Sequence, residues 1–398
     1  MEWSSQFHQL VNHNDDLRRL VEKGYAVAID GGYLVIRDIP YLDSEKHLQW
    51  GAIVSKLVFV DKDRVTQDDH QIFFAGSVPH SLIGMPIPNL GDRPTTLALG
   101  DMSKDVVVQR QFSNKPKATG KFEDFFEKIE SYVTIISGPA MELYEVTPYT
   151  FKCVEAMPNS VFKFQDTLTS RAEITDLSAK YSRDVIAIIG LGGTGAYILD
   201  FLVKTPVREI RAFDADVFHV HNAFRSPGKL AESELGTPKA EVYRARYDNF
   251  RIGLSIERKS IDTSSGDVLV GVTFAFVCVD SGSSRKEIFN LLIEKKIPFI
   301  DVGMGLNRKK GPLNGMLRTT YYSTEQYQSL IEKGLAELTE NPDVAYRTNI
   351  QISELNALNA CLAVIRFKQL RGFYFEEIPY YHILFEVGDL KVVGESQL

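Results

Sequence analysis

The string Gly190-Leu191-Gly192-Gly193-Thr194-Gly195 follows an unbroken apolar run, Val185 to Ile189, and opens a stretch with helical apolar spacing. Glycines at such a junction let the backbone turn tightly and approach an anion, while the helix N-terminus offers free N–H groups and a partial positive charge. The chemistry this predicts is recognition of a phosphate. Asp214 stands 24 residues beyond Gly190, at the end of a second apolar run. A carboxylate there can accept hydrogen bonds from ribose hydroxyls. A glycine string by itself also suits a tight packing turn, and it is the strand before it and Asp214 after it that favour a nucleotide.

Two chemistries fit so far: hydride transfer from a dinucleotide, or use of ATP. Asp214-Ala215-Asp216 is followed by His221-Asn222-Ala223-Phe224-Arg225, and Gly236-Thr237-Pro238 by Lys239. A nicotinamide site needs little positive charge beyond its pyrophosphate loop, whereas a triphosphate with Mg²⁺ needs several cations and a carboxylate. Asp280 ends the apolar run Phe274 to Val279, at the edge of an open parallel sheet where ligands bind. Both a helix N-cap and a metal ligand are open to it.

In order and spacing, Gly190 to Gly195, Asp214-Ala215-Asp216, Asn222 with Arg225, Lys239 and Asp280 resemble the adenylation motifs of the ThiF/MoeB and ubiquitin-activating enzyme superfamily. The likeness covers roughly residues 171 to 370. The string from His221 to Gly228 further resembles a bacterial ThiF-type branch that carries an extra N-terminal domain and is associated with ubiquitin-like protein modification. The resemblance implies a Rossmann-like, mostly parallel α/β adenylation domain preceded by a smaller α+β domain. It implies ATP and Mg²⁺ as cofactors and a ubiquitin-like protein as partner, with a conjugating enzyme or peptidase of the same system. It assigns Gly190, Gly192, Gly193, Gly195, Asp214, Asp216 and Asn222 to the nucleotide. Arg225, Lys239 and Asp280 become catalytic, and Asp280 also the Mg²⁺ ligand. An arginine upstream of the loop, often donated across a homodimer interface, would be Arg171, with Arg183 as its rival.

The implied reaction is adenylation of the partner's C-terminal carboxylate with release of pyrophosphate. Such a group titrates near ~3.5, so it is ionised at neutral pH and needs no general base. Departures from the superfamily are also visible: no cysteine follows Asp280 at the thioester position, and no CxxC pair is present. Cys278 and Cys361 fall in apolar segments, which leaves Cys153 as the candidate thiol. The loop Gly76 to Ser81 offers Ser77 or Ser81 with His80 or His70 as an oxygen nucleophile, or else only turn-forming hydroxyls. Against adenylation stand a nicotinamide-dependent oxidoreductase and a nucleotide-binding adaptor without catalysis.

The elements that must hold these residues divide the chain into an α+β domain over residues 1–150, a segment over 151–180 bearing the upstream arginine, and the adenylation domain over 181–398. The first domain reads as one leading helix with Phe7, Leu10, Leu17 and Leu20 on a face, a hairpin around Asp30-Gly31-Gly32, strands at 53–60, 71–74 and 106–112, and a helix from Phe122. The last alternates strand, helix and strand and closes in a hairpin around Gly388-Asp389. The 398 residues carry 45 Lys and Arg against 52 Asp and Glu, a net charge of −7 that disfavours nucleic acid as the main partner. No apolar run reaches the ~18 residues of a membrane span, and the start lacks a signal-peptide pattern. Three widely spaced cysteines fit a reducing, cytoplasmic setting.

Overall fold

The computed structural model describes residues 3–117, 119–152, 160–164, 166, 168, 169, 172, 174–308, 311–339 and 350–396. The chain divides into two compact units, Met1–Glu173 and Ile174–Leu398.

In the C-terminal unit, Val185–Ile189 forms a central strand, β8, in which all five side chains are buried. Its continuous apolar run is explained by the layers on either side. Ile186 and Ile188 join a core with Ala196, Leu199, Val242, Ala363 and Phe367, while Val185, Ala187 and Ile189 join a second with Ile288, Phe289, Leu292 and Leu330. Successive side chains of a strand alternate faces, so a strand covered by helices on both sides must be apolar throughout. Helices Gly193–Val203, Lys239–Tyr247 and Ser353–Leu370 supply one layer, and Gly282–Glu294 with Tyr327–Glu332 the other. Each large aliphatic side chain sealed this way contributes roughly 2–3 kcal/mol.

Among the described residues the sheet has eight strands. Leu254–Glu257 (β10), Glu209–Phe213 (β9), β8, Phe274–Val277 (β11) and Phe299–Asn307 (β12) run parallel in that spatial order. Asn314–Tyr322 (β13), Tyr380–Glu386 (β14) and Lys391–Ser396 (β15) extend it with antiparallel pairings. Parallel strands present their carboxyl ends at one edge, and the glycine loop after β8, Asp214 after β9 and Asp280 beyond β11 all lie there.

The N-terminal unit is an antiparallel sheet with helices against one face. Its strands are Ala26–Asp30 (β1), Tyr33–Leu42 (β2), Leu48–Phe59 (β3), Val65–Gln67 (β4), Gln71–Ala75 (β5), Arg93–Pro94 (β6) and Arg110–Ser113 (β7). The spatial order is β1-β2-β3-β5-β7-β6, with β4 paired to β3. Gly31 and Gly32 take positive φ, +57° and +83°, which makes the two-residue turn between β1 and β2. Leu34 and Ile36 face the core built with Phe125, Ile129 and Ile136, whereas Val35 faces a smaller cluster with Val54 and Val108.

Three elements differ from the sequence expectation. The leading helix is broken into Trp3–His13 and Asp15–Lys23, where the buried Asn14 takes an extended backbone and its carboxamide bonds to Leu10, Asp63 and Val65 backbone atoms. The strand expected from Val106 begins only at Arg110, with Val106 and Val108 still buried. The helix expected from Phe122 starts at Phe125, where the Asp124 side chain accepts the Glu127 N–H.

Candidate functional site

The loop after β8 is made from glycine for three local reasons. Gly190 has φ +97°, and a Cβ there would stand 2.8 Å from the Cys278 carbonyl oxygen. A Cβ on Gly195 would overlap the Gly190 carbonyl, and one on Gly193 would overlap the carboxamide of Asn356. Gly192 is the N-cap of the helix Gly193–Val203, and nothing lies within 4 Å of where its Cβ would be. The loop therefore offers backbone N–H groups at a helix N-terminus with open space beside Gly192, the arrangement an anion requires.

Asp214, 8% exposed, fastens this loop to the end of β9. Its Oδ2 accepts the Leu191 N–H at 2.7 Å, and its Oδ1 accepts the Asp216 N–H at 2.9 Å. Lys239 opens the helix Lys239–Tyr247 and is 5% exposed; its ammonium sits 3.4 Å from Asp214 and donates to Asp216 at 2.8 Å. A buried lysine would be costly without partners, and these two carboxylates supply them. The Asp216 side chain is 74% exposed, so one partner of the buried cation faces solvent.

Asn222 is buried at 4% exposure and caps its own short helix Val220–Ala223, its Oδ1 accepting the His219 N–H at 2.8 Å. Its carbonyl accepts the Ser226 hydroxyl at 2.7 Å. These bonds fix the segment carrying Arg225, whose Nε is buried without a hydrogen-bond partner. His221 is held below the usual imidazole range by burial, then by the positive charges of Arg225, His219 and Lys239.

Asp280 is exposed beyond the carboxyl end of β11. The cap of the following helix is Ser281, whose Oγ accepts the Ser284 N–H at 3.2 Å, so the N-cap role considered for Asp280 belongs to its neighbour. Arg285 donates to the carbonyl of Val279 and to Asp301 at 3.0 Å, and Asp301 is fully buried and also paired with Arg318 at 2.6 Å. A buried ionic cluster thus anchors the backbone just before Asp280. Among the described residues no three His, Cys, Asp or Glu side chains converge as metal ligands. This donor set fits a Mg²⁺ ion ligated mainly by phosphates with one or two protein carboxylates, and not a protein-built cage.

Arg171 and Cys153 lie outside the described residues, and the rival Arg183 is exposed. Burial pushes the thiols of Cys278 and Cys361 up, which suppresses the thiolate. In the N-terminal unit Ser77 Oγ lies 3.1 Å from the Tyr41 hydroxyl, Ser81 donates to the Met85 carbonyl, and His70 Nε2 meets Ser113 at 2.9 Å. Among the described residues Ser77 and Ser81 bond to groups other than His80 and His70, and the serine–histidine pairs considered from sequence are not assembled there.

Asn356 escaped the sequence reading. It sits on the long helix Ser353–Leu370, accepts the Thr194 hydroxyl at 2.9 Å and donates to the Arg225 carbonyl at 3.3 Å. The signal was present as two asparagines, Asn356 and Asn359, three residues apart inside an otherwise apolar helical pattern.

Residues 15–167 match a domain of unknown function (DUF6791), and residues 165–360 match the ThiF family. A curated relative, tRNA threonylcarbamoyladenosine dehydratase 2 of Saccharomyces cerevisiae, is 25% identical over 160 residues, covering 36% of this chain and 34% of its own length. Among solved structures, E. coli MccB with AMPCPP and MccA is similar at 15% identity and TM-score 0.45, over 58% of this chain and 72% of that one. PaaA is similar at 17% identity and TM-score 0.41, over 56% and 75%. Residues 165–360 of this chain are a ThiF family domain, preceded by the domain of unknown function.

Proposed function

We propose that the C-terminal unit uses ATP to adenylate the C-terminal carboxylate of a ubiquitin-like protein, as the activating step of a conjugation system. One observation carries this reading: a buried lysine, Lys239, shares the carboxylate of Asp214 that closes the glycine loop. A dinucleotide site uses such a carboxylate for ribose and has no need of a buried ammonium beside it, whereas a triphosphate does. The nicotinamide reading is correspondingly weaker.

In the reaction an oxygen of the acceptor carboxylate forms a bond to the α-phosphorus of ATP, and the bond from that phosphorus to the α,β-bridging oxygen breaks. The electron pair leaves with pyrophosphate, and no proton is transferred. The chain's own work is then positioning and charge stabilisation. The loop amides from Gly192 onward hold phosphate oxygens, Asp214 accepts from the ribose, and Arg225 and Lys239 face the charge that builds on the leaving phosphates. Asp280 is the carboxylate for Mg²⁺, which when bound neutralises phosphate charge. For Lys239 to reach a phosphate it must exchange its bond to Asp216, and the exposure of that carboxylate supports such an exchange.

The test is ATP–pyrophosphate exchange by the full chain with candidate ubiquitin-like proteins. Exchange that requires a free C-terminal carboxylate, and is lost when that terminus is amidated, supports the proposal. Binding of a nicotinamide dinucleotide in place of ATP would overturn it, and ATP binding without exchange for any acceptor would favour the adaptor. A second acceptor class follows from the name of the yeast relative, which acts on a modified tRNA; exchange driven by tRNA and not by protein would select it.

A further inference from the structure

We propose that Asn356 is a positioning residue that sets Arg225 in register with the glycine loop, so that one triphosphate meets both. This rests on the nucleotide reading of the same site. Thr194 and Arg225 are remote in sequence from Asn356, by 162 and 131 residues, and Asn356 joins them through one carboxamide. Oδ1 accepts from Thr194 in the first turn of the phosphate-facing helix, and Nδ2 donates to the Arg225 carbonyl. The side chain is 1% exposed and fills the space that a Cβ on Gly193 would need.

The bonds are not required by the helix that carries Asn356, whose backbone N–H already donates to Ile352 at 2.9 Å. An apolar residue of the same shape would serve packing alone, so the carboxamide serves the two segments it ties. One of them ends in the buried, unpartnered Nε of Arg225, a donor placed without any protein acceptor. The other segment is the anion-binding loop. A tie of fixed length between a phosphate cradle and an unused cation positions that cation for the same ligand.

Asn359 is the internal control. It lies one turn further along the helix, is fully buried, and likewise joins two segments, donating to the Gly303 carbonyl at 3.0 Å and accepting from Thr319 at 3.2 Å. Both of its partners are in the sheet, away from the glycine loop.

The experiment measures binding of ATP·Mg²⁺ and of AMP to the full chain by calorimetry. Asn356→Leu should weaken ATP about tenfold, the scale of one charge-assisted hydrogen bond, and AMP less than twofold. Arg225→Ala should weaken ATP about tenfold in the wild-type background and less than twofold in Asn356→Leu, because residues acting as one unit are not additive. Asn359→Leu should lower the melting temperature and leave ATP affinity within twofold. If Asn356→Leu fails to fold, Thr194→Val cuts the same tie from its half-buried end and should reproduce both results. Unchanged ATP affinity in the tie variants, or an Arg225→Ala loss of equal size in both backgrounds, overturns the inference. Failure of the wild-type chain to bind ATP overturns the nucleotide reading instead.

Discussion

Lys128, in the core of the N-terminal unit, and Lys239, beside the glycine loop, are both nearly sealed from solvent, at 1% and 5% exposure. Their partners differ in kind. Lys128 donates to the Ser55 hydroxyl at 3.0 Å and the Asp69 carbonyl at 2.7 Å, both neutral. Burial pushes its pKa down to about 8, against the opposing pull of the Asp69 and Asp68 charges. Lys239 is instead held by two carboxylates, one of them largely in solvent. A cation bonded only to a neutral hydroxyl and a neutral carbonyl has no carboxylate to exchange and belongs to the packing. A cation bonded to an exposed carboxylate can trade it for a phosphate, and a buried lysine of that kind marks a site.

The largest expected effect tests the second half of this contrast. Lys239→Met and Asp280→Asn should each lower pyrophosphate exchange by about a thousandfold, roughly 4 kcal/mol of transition-state stabilisation. Asp280→Asn should melt with the wild type, since Ser281 and not Asp280 caps the helix. Exchange kinetics beside thermal melts decide this, and near-wild-type exchange by Asp280→Asn would remove that carboxylate from the chemistry.

Next in size is the pH response of Lys128. Its folded pKa of about 8 lies below the 10.5 of an ordinary lysine. Between those values the unfolded chain keeps a proton that the folded chain has lost, so stability rises with pH across the window and is lost again as pH falls through 8. The full span is roughly 3 kcal/mol at 1.36 kcal/mol per pKa unit. Lys128→Met should flatten that rise. Both tryptophans, Trp3 and Trp50, lie in the N-terminal unit, so tryptophan fluorescence during denaturant unfolding follows that unit. An identical pH slope in wild type and variant would refute a depressed lysine.

The same contrast governs what could be read from the sequence. β8 was legible because burial on both faces forces an unbroken apolar run, and the glycine loop because steric crowding at Gly190 and Gly195 leaves no alternative residue. β13 was not legible: it buries Thr319 and Thr320, and its polar residues are satisfied by Asn359 and His382 from other elements. The break at Asn14 was hidden for a like reason, since its partners at Asp63 and Val65 are 49 and 51 residues away. The sequence offers Lys239 as a cation for a triphosphate, but its pairing with Asp214 and Asp216 depends on how the helix Lys239–Tyr247 is placed against the end of β9. Composition and spacing report local constraints, while a polar group satisfied at long range looks like a surface residue.

A smaller effect bears on the exchange of partners at Lys239. If Asp216 only holds the ammonium until a phosphate arrives, Asp216→Asn should tighten ATP binding by a few-fold, because an ion pair with an exposed carboxylate is worth about 0–1 kcal/mol. A loss of affinity above tenfold would place Asp216 on the nucleotide or its metal instead. Titration with ATP·Mg²⁺ separates the two outcomes.

The smallest expected effect is none, and it concerns the thiols. Cys278 continues the ladder after β11, its N–H donating to the Ile189 carbonyl at 2.8 Å, and burial raises its thiol well above the usual range. Cys361 is raised for the same reason. Burial disfavours the thiolate of both, and adenylation needs no nucleophilic side chain, so Cys278→Ala and Cys361→Ala should keep exchange within twofold and cost about 1 kcal/mol of stability through lost packing. Cys153, the third thiol, sits in the range of the N-terminal unit. A covalent adduct with the partner that vanishes with dithiothreitol and with Cys153→Ala would turn the comparison around, giving the first unit the acyl-accepting group and the second only its activation. An adduct that resists dithiothreitol and yields to hydroxylamine would assign the acceptor to a hydroxyl.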